Sequence, residues 1–88
     1  MSVTIICTKK DGTTITAQAN SDSAVTWSLH VTQGDGSGTD HAGTDVVLLN
    51  GTHSVTWSSV TSGTSYTVTA TNADGRTQSK PVPFGTCT

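Results

Sequence analysis

The chain offers few residues that could do acid–base chemistry. It contains no Glu, and its six Asp residues all lie in or beside segments of turn composition. It has no Gly-x-Ser-x-Gly elbow, no His-Glu-x-x-His pair and no phosphate-binding loop. We therefore expect a protein that is not an enzyme, with turn or capping roles for the aspartates Asp11, Asp22, Asp35, Asp40, Asp45 and Asp74.

Residues that could bind a metal are equally sparse. The spacings of His30, His41 and His53 match no zinc motif, and there is no Cys-x-x-Cys pair, so we expect no metal and no cofactor. The segment DGSGTD (35–40) sets hard oxygens at alternate positions, as calcium loops do, but it lacks the bidentate Glu. We interpret 33–44, with its four Gly, as a surface loop. Its candidate contact residues are Asp35, Ser37, Thr39, Asp40 and His41.

Charge and hydropathy exclude several classes of partner. The net charge is -2, and the four basic residues are scattered, so we expect no nucleic acid partner. No apolar run approaches the roughly 18 residues of a membrane span, and the first residues lack the pattern of a signal peptide. Because 88 residues are too few for two cores, we expect one domain over 1–88.

The composition is that of a sheet protein. Nineteen Thr and eleven Ser stand beside only three Leu, and Thr is a β-branched residue that favours strands. Alternating apolar residues and turn signals predict seven strands and no helix, the first two joined in a hairpin. This predicts an all-β, seven-stranded antiparallel two-sheet sandwich, with strands at 2–8, 13–19, 24–32, 45–50, 53–60, 64–71 and 76–82.

One stretch adds a family resemblance. VTSGTSY (60–66) resembles the Leu-x-Pro-Gly-Thr-x-Tyr signature of fibronectin type III domains, and similarity to the family's third to seventh strands covers about 24–82. The resemblance implies a fibronectin type III or immunoglobulin-like β-sandwich. It also implies a structural corner formed by Val60, Gly63 and Tyr66, in which the Tyr66 ring is buried and its hydroxyl bonds to backbone upstream.

The sequence departs from that pattern at the core. Ala17 and Ala19 stand where the family places a core Trp, and Ser62 replaces the Pro of the signature. We expect Trp27 or Trp57 to fill the vacant volume, within the wider immunoglobulin-like group.

The two cysteines test this topology. In such a sandwich the first and seventh strands finish at the same pole, which places Cys7 near Cys87. A bridge there would close a loop of nearly the whole chain and stabilise the fold by about 4 to 5 kcal/mol. Two unpaired thiols, with Cys7 packed in the core, remain the alternative.

Two functions of different classes fit these features. Rows of solvent-facing hydroxyls, such as Thr67, Thr69 and Thr71, leave the sheet faces nearly uncharged, which suits contact with another protein or with sugar. The first function is a non-enzymatic structural or binding module of a virion, such as a phage capsid decoration or tail-associated protein on a capsid or tail lattice.

The second function is a fibronectin type III-like spacer or carbohydrate-binding module of a secreted bacterial protein. In the carbohydrate-binding version, Trp27 or Trp57 would be exposed for stacking. Both functions place the chain in a virion or in the extracellular space.

Overall fold

A computed structural model describes residues 2–34, 43–58, 60 and 65–87. Within these ranges the chain forms seven strands and no helix, so nothing there is a helix long and apolar enough to cross a membrane. The strands are β1 (Val3–Asp11), β2 (Thr14–Ser21), β3 (Trp27–Gln33), β4 (Val46–Leu48), β5 (Gly51–Trp57), β6 (Tyr66–Thr71) and β7 (Thr77–Pro81).

The strands form two antiparallel sheets. One has three strands in the order β1-β2-β5, and the other has four in the order β4-β3-β6-β7. The β1–β2 hairpin turns at Gly12, whose φ of 61° lies in the left-handed region that glycine adopts without strain. The predicted all-β two-sheet sandwich is confirmed.

The core lies between the sheets and follows the period of two. Ile15 on β2 is opposite Trp57 on β5, and Leu29 on β3 is opposite Ala70 on β6, so each pair presents its side chains to one inner face. The buried cluster consists of Val3, Ile5, Ile15, Ala17, Ala19, Trp27, Leu29, Val31, Val55, Trp57, Val60, Tyr66, Val68 and Ala70.

Alternation in the first strand predicts that Val3, Ile5 and Cys7 share one face, and the structure corrects this at Cys7. A register shift between Ile5 and Cys7 pairs Cys7 with Gln18 and Thr8 with the inward-facing Ala17. Such a bulge adds one residue to β1, so Thr8 follows Ile5 toward the core and Cys7 does not. Cys7 is nevertheless fully buried, outside the central cluster.

The third strand also begins later than predicted. Alternation over 24–32 predicts that Val25 shares the inner face of Trp27, but β3 starts at Trp27 and Val25 is 58% exposed. Ser23 Oγ accepts a hydrogen bond from the Val25 backbone N–H across two residues, an ST-turn that competes with strand pairing.

Candidate functional site

The two cysteines join the outer edges of the two sheets. Cys7 on β1 and Cys87 beyond β7 form a disulfide with a Cα–Cα distance of 5.4 Å. Beside it, Thr8 Oγ1 donates to the Pro81 carbonyl at 2.7 Å, and the Ile5 backbone N–H donates to Gln78 Oε1. The side of the sandwich between β1 and β7 is therefore closed by a covalent bond and by polar contacts, and the alternative of two unpaired thiols is wrong.

The proposed structural corner is buried where it is described. Val60 and Tyr66 are each 2% exposed, and Tyr66 is the first residue of β6. The Val60 N–H donates to the Thr13 carbonyl at 2.9 Å, which ties this segment to the β1–β2 turn. Gly63 lies outside the described residues, and the bond expected from the Tyr66 hydroxyl stays a prediction.

The candidate contact loop lies outside the described residues. This applies to all of its members, Asp35, Ser37, Thr39, Asp40 and His41. The flanking residues are described: the Gly34 N–H donates to the Ser65 carbonyl at 2.8 Å, and Gly43 packs against Trp57. The loop is therefore flanked by a hydrogen bond to Ser65 at Gly34 and by the contact with Trp57 at Gly43.

Both tryptophans are core residues. Trp27 is 2% exposed and Trp57 is 4% exposed. Trp27 Nε1–H donates to the Leu49 carbonyl at 2.6 Å, and Trp57 Nε1–H donates to the Thr44 carbonyl at 2.8 Å. The stacking surface of the carbohydrate-binding alternative is therefore wrong, because both indoles are buried. That one of them fills the volume beside Ala17 and Ala19 stays a prediction.

The outer faces of the sheets differ in exposure. On the three-stranded sheet, Asn20 Nδ2–H donates to Thr52 Oγ1 at 2.8 Å, and the Thr16 and Thr56 hydroxyls lie 3.5 Å apart. This face is polar and uncharged over these residues. On the four-stranded sheet, Thr67 is buried and donates to the Gly34 carbonyl at 2.9 Å. The expected exposed row at Thr67, Thr69 and Thr71 is therefore wrong, since Thr67 is covered and the other two are half-buried.

The most exposed apolar residues lie together at one pole. Val47 on β4 is 67% exposed, Leu49 directly after β4 is 70% exposed, and Val25 just before β3 is 58% exposed. Since Trp27 at the start of β3 pairs with Leu48 at the end of β4, all three lie around the same end of the β3–β4 pair. We call Val25, Val47 and Leu49 the apolar edge.

The strand that carries the apolar edge has an open side. In the described part of the chain β4 pairs only with β3, so the opposite row of backbone groups is open to a further strand. The other edge of this sheet, β7, carries Lys80 and Pro81, which hinder strand addition, whereas β4 contains neither residue type. A cleft of about 170 Å³ adjoins β4 and is lined by Val47, Thr26, Ser28 and Thr71 among others.

Sequence reasoning missed the apolar edge. The run DVVLLN (45–50) was interpreted only as a short apolar strand, with no side of it assigned to solvent. In a strand at the edge of a sheet the side chains alternate between core and solvent, so half of an uninterrupted apolar run becomes exposed. The missing information was the position of β4 in the sheet.

A second concavity lies beside β6 and β7. This open groove of about 700 Å³ is lined by Thr67, Ser79, Lys80, Pro81 and Val82 among others. Lys80 Nζ lies 4.7 Å from the centre of the Phe84 ring, in a cation–π contact. Among the described residues no three His, Cys, Asp or Glu side chains come close enough to hold a metal ion.

The chain matches no protein-family model and no curated protein. The fold defines its class as an all-β, two-sheet antiparallel sandwich.

Proposed function

We propose that this chain is a non-enzymatic structural module that docks on another protein, as an accessory protein of a virus particle such as a capsid decoration or tail-associated protein. The observation that carries the proposal is the apolar edge: three exposed aliphatic side chains beside a strand with no lysine or proline. Ile6 on β1 is the other large apolar residue exposed in the described part of the chain, at 46%, and it belongs to the other sheet.

The occupant of the apolar edge is an extended, uncharged segment of the particle's lattice protein. An extended segment satisfies the open backbone groups of β4, and aliphatic side chains at alternate positions meet Val47 and Leu49. An uncharged segment fits because no residue of β4 carries a charge that a partner would need to neutralise.

The small size of the edge favours a lattice over a solitary partner. A stable interface between two free proteins buries about 1,200–2,000 Å² in total. A strand of three residues with three exposed side chains buries far less, so one contact is weak. On a particle, repeated copies or additional contacts bind at the same time, so the binding free energies of the weak contacts add.

The proposal also covers the subclass of β-sandwich to which the chain belongs and the compartment in which it is found. We assign the chain to the fibronectin type III side of the immunoglobulin-like sandwiches, supported by β4 lying beside β3. In immunoglobulin constant domains the fourth strand instead belongs with the first, second and fifth. The disulfide supports an oxidising setting, in a virion or in the extracellular space, because such bridges are rare in reducing compartments.

The first test is mass spectrometry of purified particles from the source of this sequence. We expect the chain in the particles at a fixed ratio to the major lattice protein. Its absence from every particle preparation would refute the virion assignment.

The second test locates the contact by co-sedimentation with those particles. The double variant V47K/L49K replaces two exposed aliphatic side chains by charges, and burial of each is worth about 1.5–3 kcal/mol, so we expect binding at least about tenfold weaker. The matched control T16K/T56K adds the same charge to the outer face of the other sheet and should bind as the wild type does. Equal binding of V47K/L49K and wild type would show that another surface docks.

A further inference from the structure

The C-terminal segment (residues 82–87) forms one antiparallel β-bridge with the edge of β1 that does not face β2. Thr8 pairs with Ala17 of β2 on one side and with Phe84 on the other. The Thr8 N–H donates to the Phe84 carbonyl at 2.8 Å, and the Phe84 N–H donates to the Thr8 carbonyl at 3.0 Å. Cys87 is then bonded to Cys7, one residue before Thr8.

The burial is unequal on the two sides of this contact. Cys7 and Thr8 are fully buried. In the C-terminal segment Pro83, Gly85 and Thr86 are exposed, and the other residues are half-buried. This segment therefore covers the β1 edge together with Gln78 and Pro81 of β7, whereas half of the segment's own residues face solvent.

The β1 edge is shaped for this segment. At Gly85 the backbone has a φ of 65°, and a Cβ there would lie 3.0 Å from the Ile6 carbonyl oxygen. Glycine is the residue that adopts this conformation without strain and also allows so close an approach. The fit distinguishes this segment from an arbitrary strand.

The C-terminal segment can leave β1 without disturbing β7. The Val82 N–H donates to the Tyr66 carbonyl at 3.0 Å, which fixes the start of the segment to β6. Pro83 has no N–H, so the next backbone donor along the chain is Phe84, which already contacts β1. Release beyond Val82 breaks the two Thr8–Phe84 hydrogen bonds and the disulfide, withdraws Phe84 from the core cluster that it packs against, and leaves the β6–β7 pairing in place.

We propose that the β1 edge is a strand-binding site that accepts the C-terminal segment of a second copy of this chain, which links copies through intermolecular Cys7–Cys87 disulfides. The occupant is argued from the structure itself, because the identical segment already forms every contact within one copy. Each copy donates one segment and accepts one, so reciprocal exchange between two copies gives a closed dimer, and exchange in one direction builds chains or larger rings. This inference does not depend on the proposed virion function.

The exchange needs a small thiol but no oxidant. A thiolate attacks Cys87 Sγ, the bond to Cys7 breaks, and Cys7 leaves as a thiolate while Cys87 carries a mixed disulfide. The Cys7 thiolate then attacks Cys87 Sγ of the mixed disulfide on a neighbouring copy and expels the small thiolate. The number of disulfides is unchanged, and the thiol is regenerated.

Concentration decides between the two arrangements. A short flexible connection gives the chain's own segment an effective concentration in the millimolar range. Intermolecular bridges should therefore make up about half of the total at about 1 mM chain and about one tenth at about 0.1 mM. Copies held side by side on an ordered surface reach a local concentration of about 1 mM, at which about half of the bridges are intermolecular.

The test uses the wild-type protein with its bridge intact. Equal amounts of ¹⁵N-labelled and unlabelled protein are mixed at about 1 mM with a substoichiometric amount of reduced glutathione, then digested under acid conditions for mass spectrometry. We expect about a quarter of the Cys7–Cys87 peptide pairs to join a labelled to an unlabelled peptide, since half of the intermolecular bridges are mixed. Cys7–Cys7 and Cys87–Cys87 pairs should be nearly absent.

Two results would overturn the inference. The first is an absence of mixed pairs at this concentration with the thiol present. The second is a statistical mixture of all three cysteine pairings, which would mean random exchange without strand recognition. Near-ultraviolet circular dichroism is recorded throughout. Loss of the tryptophan signal during exchange would show that the exchange occurs in unfolded chains, which would also refute the inference.

A pair of glycine variants tests recognition of the segment. Gly85→Ala places a Cβ against the Ile6 carbonyl, whereas Gly12→Ala imposes a similar backbone strain at a φ of 61° with no atom within 4 Å. We expect Gly85→Ala to reduce the preference for Cys7–Cys87 pairing and Gly12→Ala to keep it. Equal pairing preference in the two variants would contradict recognition at the β1 edge.

Discussion

Removal of the Cys7–Cys87 bridge should cost this protein a large part of its stability. The bridge joins residues separated by 80 positions in a chain of 88, so it constrains nearly the whole unfolded chain. The variant of choice is C7A/C87A, because serine would place a hydroxyl at the fully buried position 7.

The expected magnitude follows from the loop length. The chain-entropy relation gives about 4.5 kcal/mol at 25 °C for a loop of this size. A domain of 88 residues has a net free energy of unfolding of about 4–13 kcal/mol. The loss therefore corresponds to a fall in Tm of about 20–35 °C, and the variant is expected to be marginally folded at 37 °C.

Urea unfolding of the wild type and of C7A/C87A, monitored by the fluorescence of the two buried tryptophans, measures this loss. Because the bridged unfolded chain is the more compact one, the m value should also rise when the bridge is absent. Reduction of the wild type should give the same change in both quantities, which controls for the substitutions themselves.

Two outcomes would refute this reasoning. A loss below about 1 kcal/mol would show that the bridge does not restrict the unfolded chain as the loop length implies. A large loss with an unchanged m value would place the effect in the folded state, in the packing around Cys7.

Three further predictions concern single positions. Thr32→Val should stabilise the fold by about 1 kcal/mol, because the buried Thr32 hydroxyl has no hydrogen-bond partner among the described residues. Thr67→Val removes the hydrogen bond to the Gly34 carbonyl and should destabilise the fold by about 1 kcal/mol. Urea unfolding measures both changes, and a loss of stability in both variants would contradict the prediction for Thr32. Gly43→Ala would set a Cβ 2.5 Å from Trp57 Cδ1, so we expect a loss of about 1–3 kcal/mol and a shifted tryptophan emission, and wild-type values in both would count against that contact. The Ser2 backbone N–H donates to the Asp22 carboxylate and holds the pKa of Asp22 below the ordinary 3.8. The stability that this ionised carboxylate contributes is therefore present above pH 3.8 and is lost as the pH falls through the lower pKa of the folded state. Asp22→Asn should lessen the fall of Tm below about pH 4, and a fall equal to that of the wild type would argue against this role.

The period of two accounts for how much of the fold the sequence predicts. Alternation through Trp27, Leu29 and Val31 identifies β3 and its inner face, because a side chain on a strand has only two directions. Strand ends were less predictable: Val25 fits the alternation but lies outside β3, where a local hydrogen bond to Ser23 Oγ replaces strand pairing.

The candidate site was less predictable than the fold. The sequence directed attention to the 33–44 loop and to the hydroxyl rows, while the apolar edge came from a run that resembles a buried strand. Whether Val47 is covered depends on which strand lies beyond β4, and strand order is a property of long-range pairing.

The sequence by itself determined the strand class, the low charge and the two cysteines at opposite ends of the chain. These depend on residue type and local spacing, which act through neighbours along the chain. The tertiary structure alone decided that both indoles are buried, that Cys7 leaves the inner face at a bulge, and that β4 lies at an open edge. Each of these depends on which distant segments pack together, and that pairing is set by the whole core rather than by any one strand.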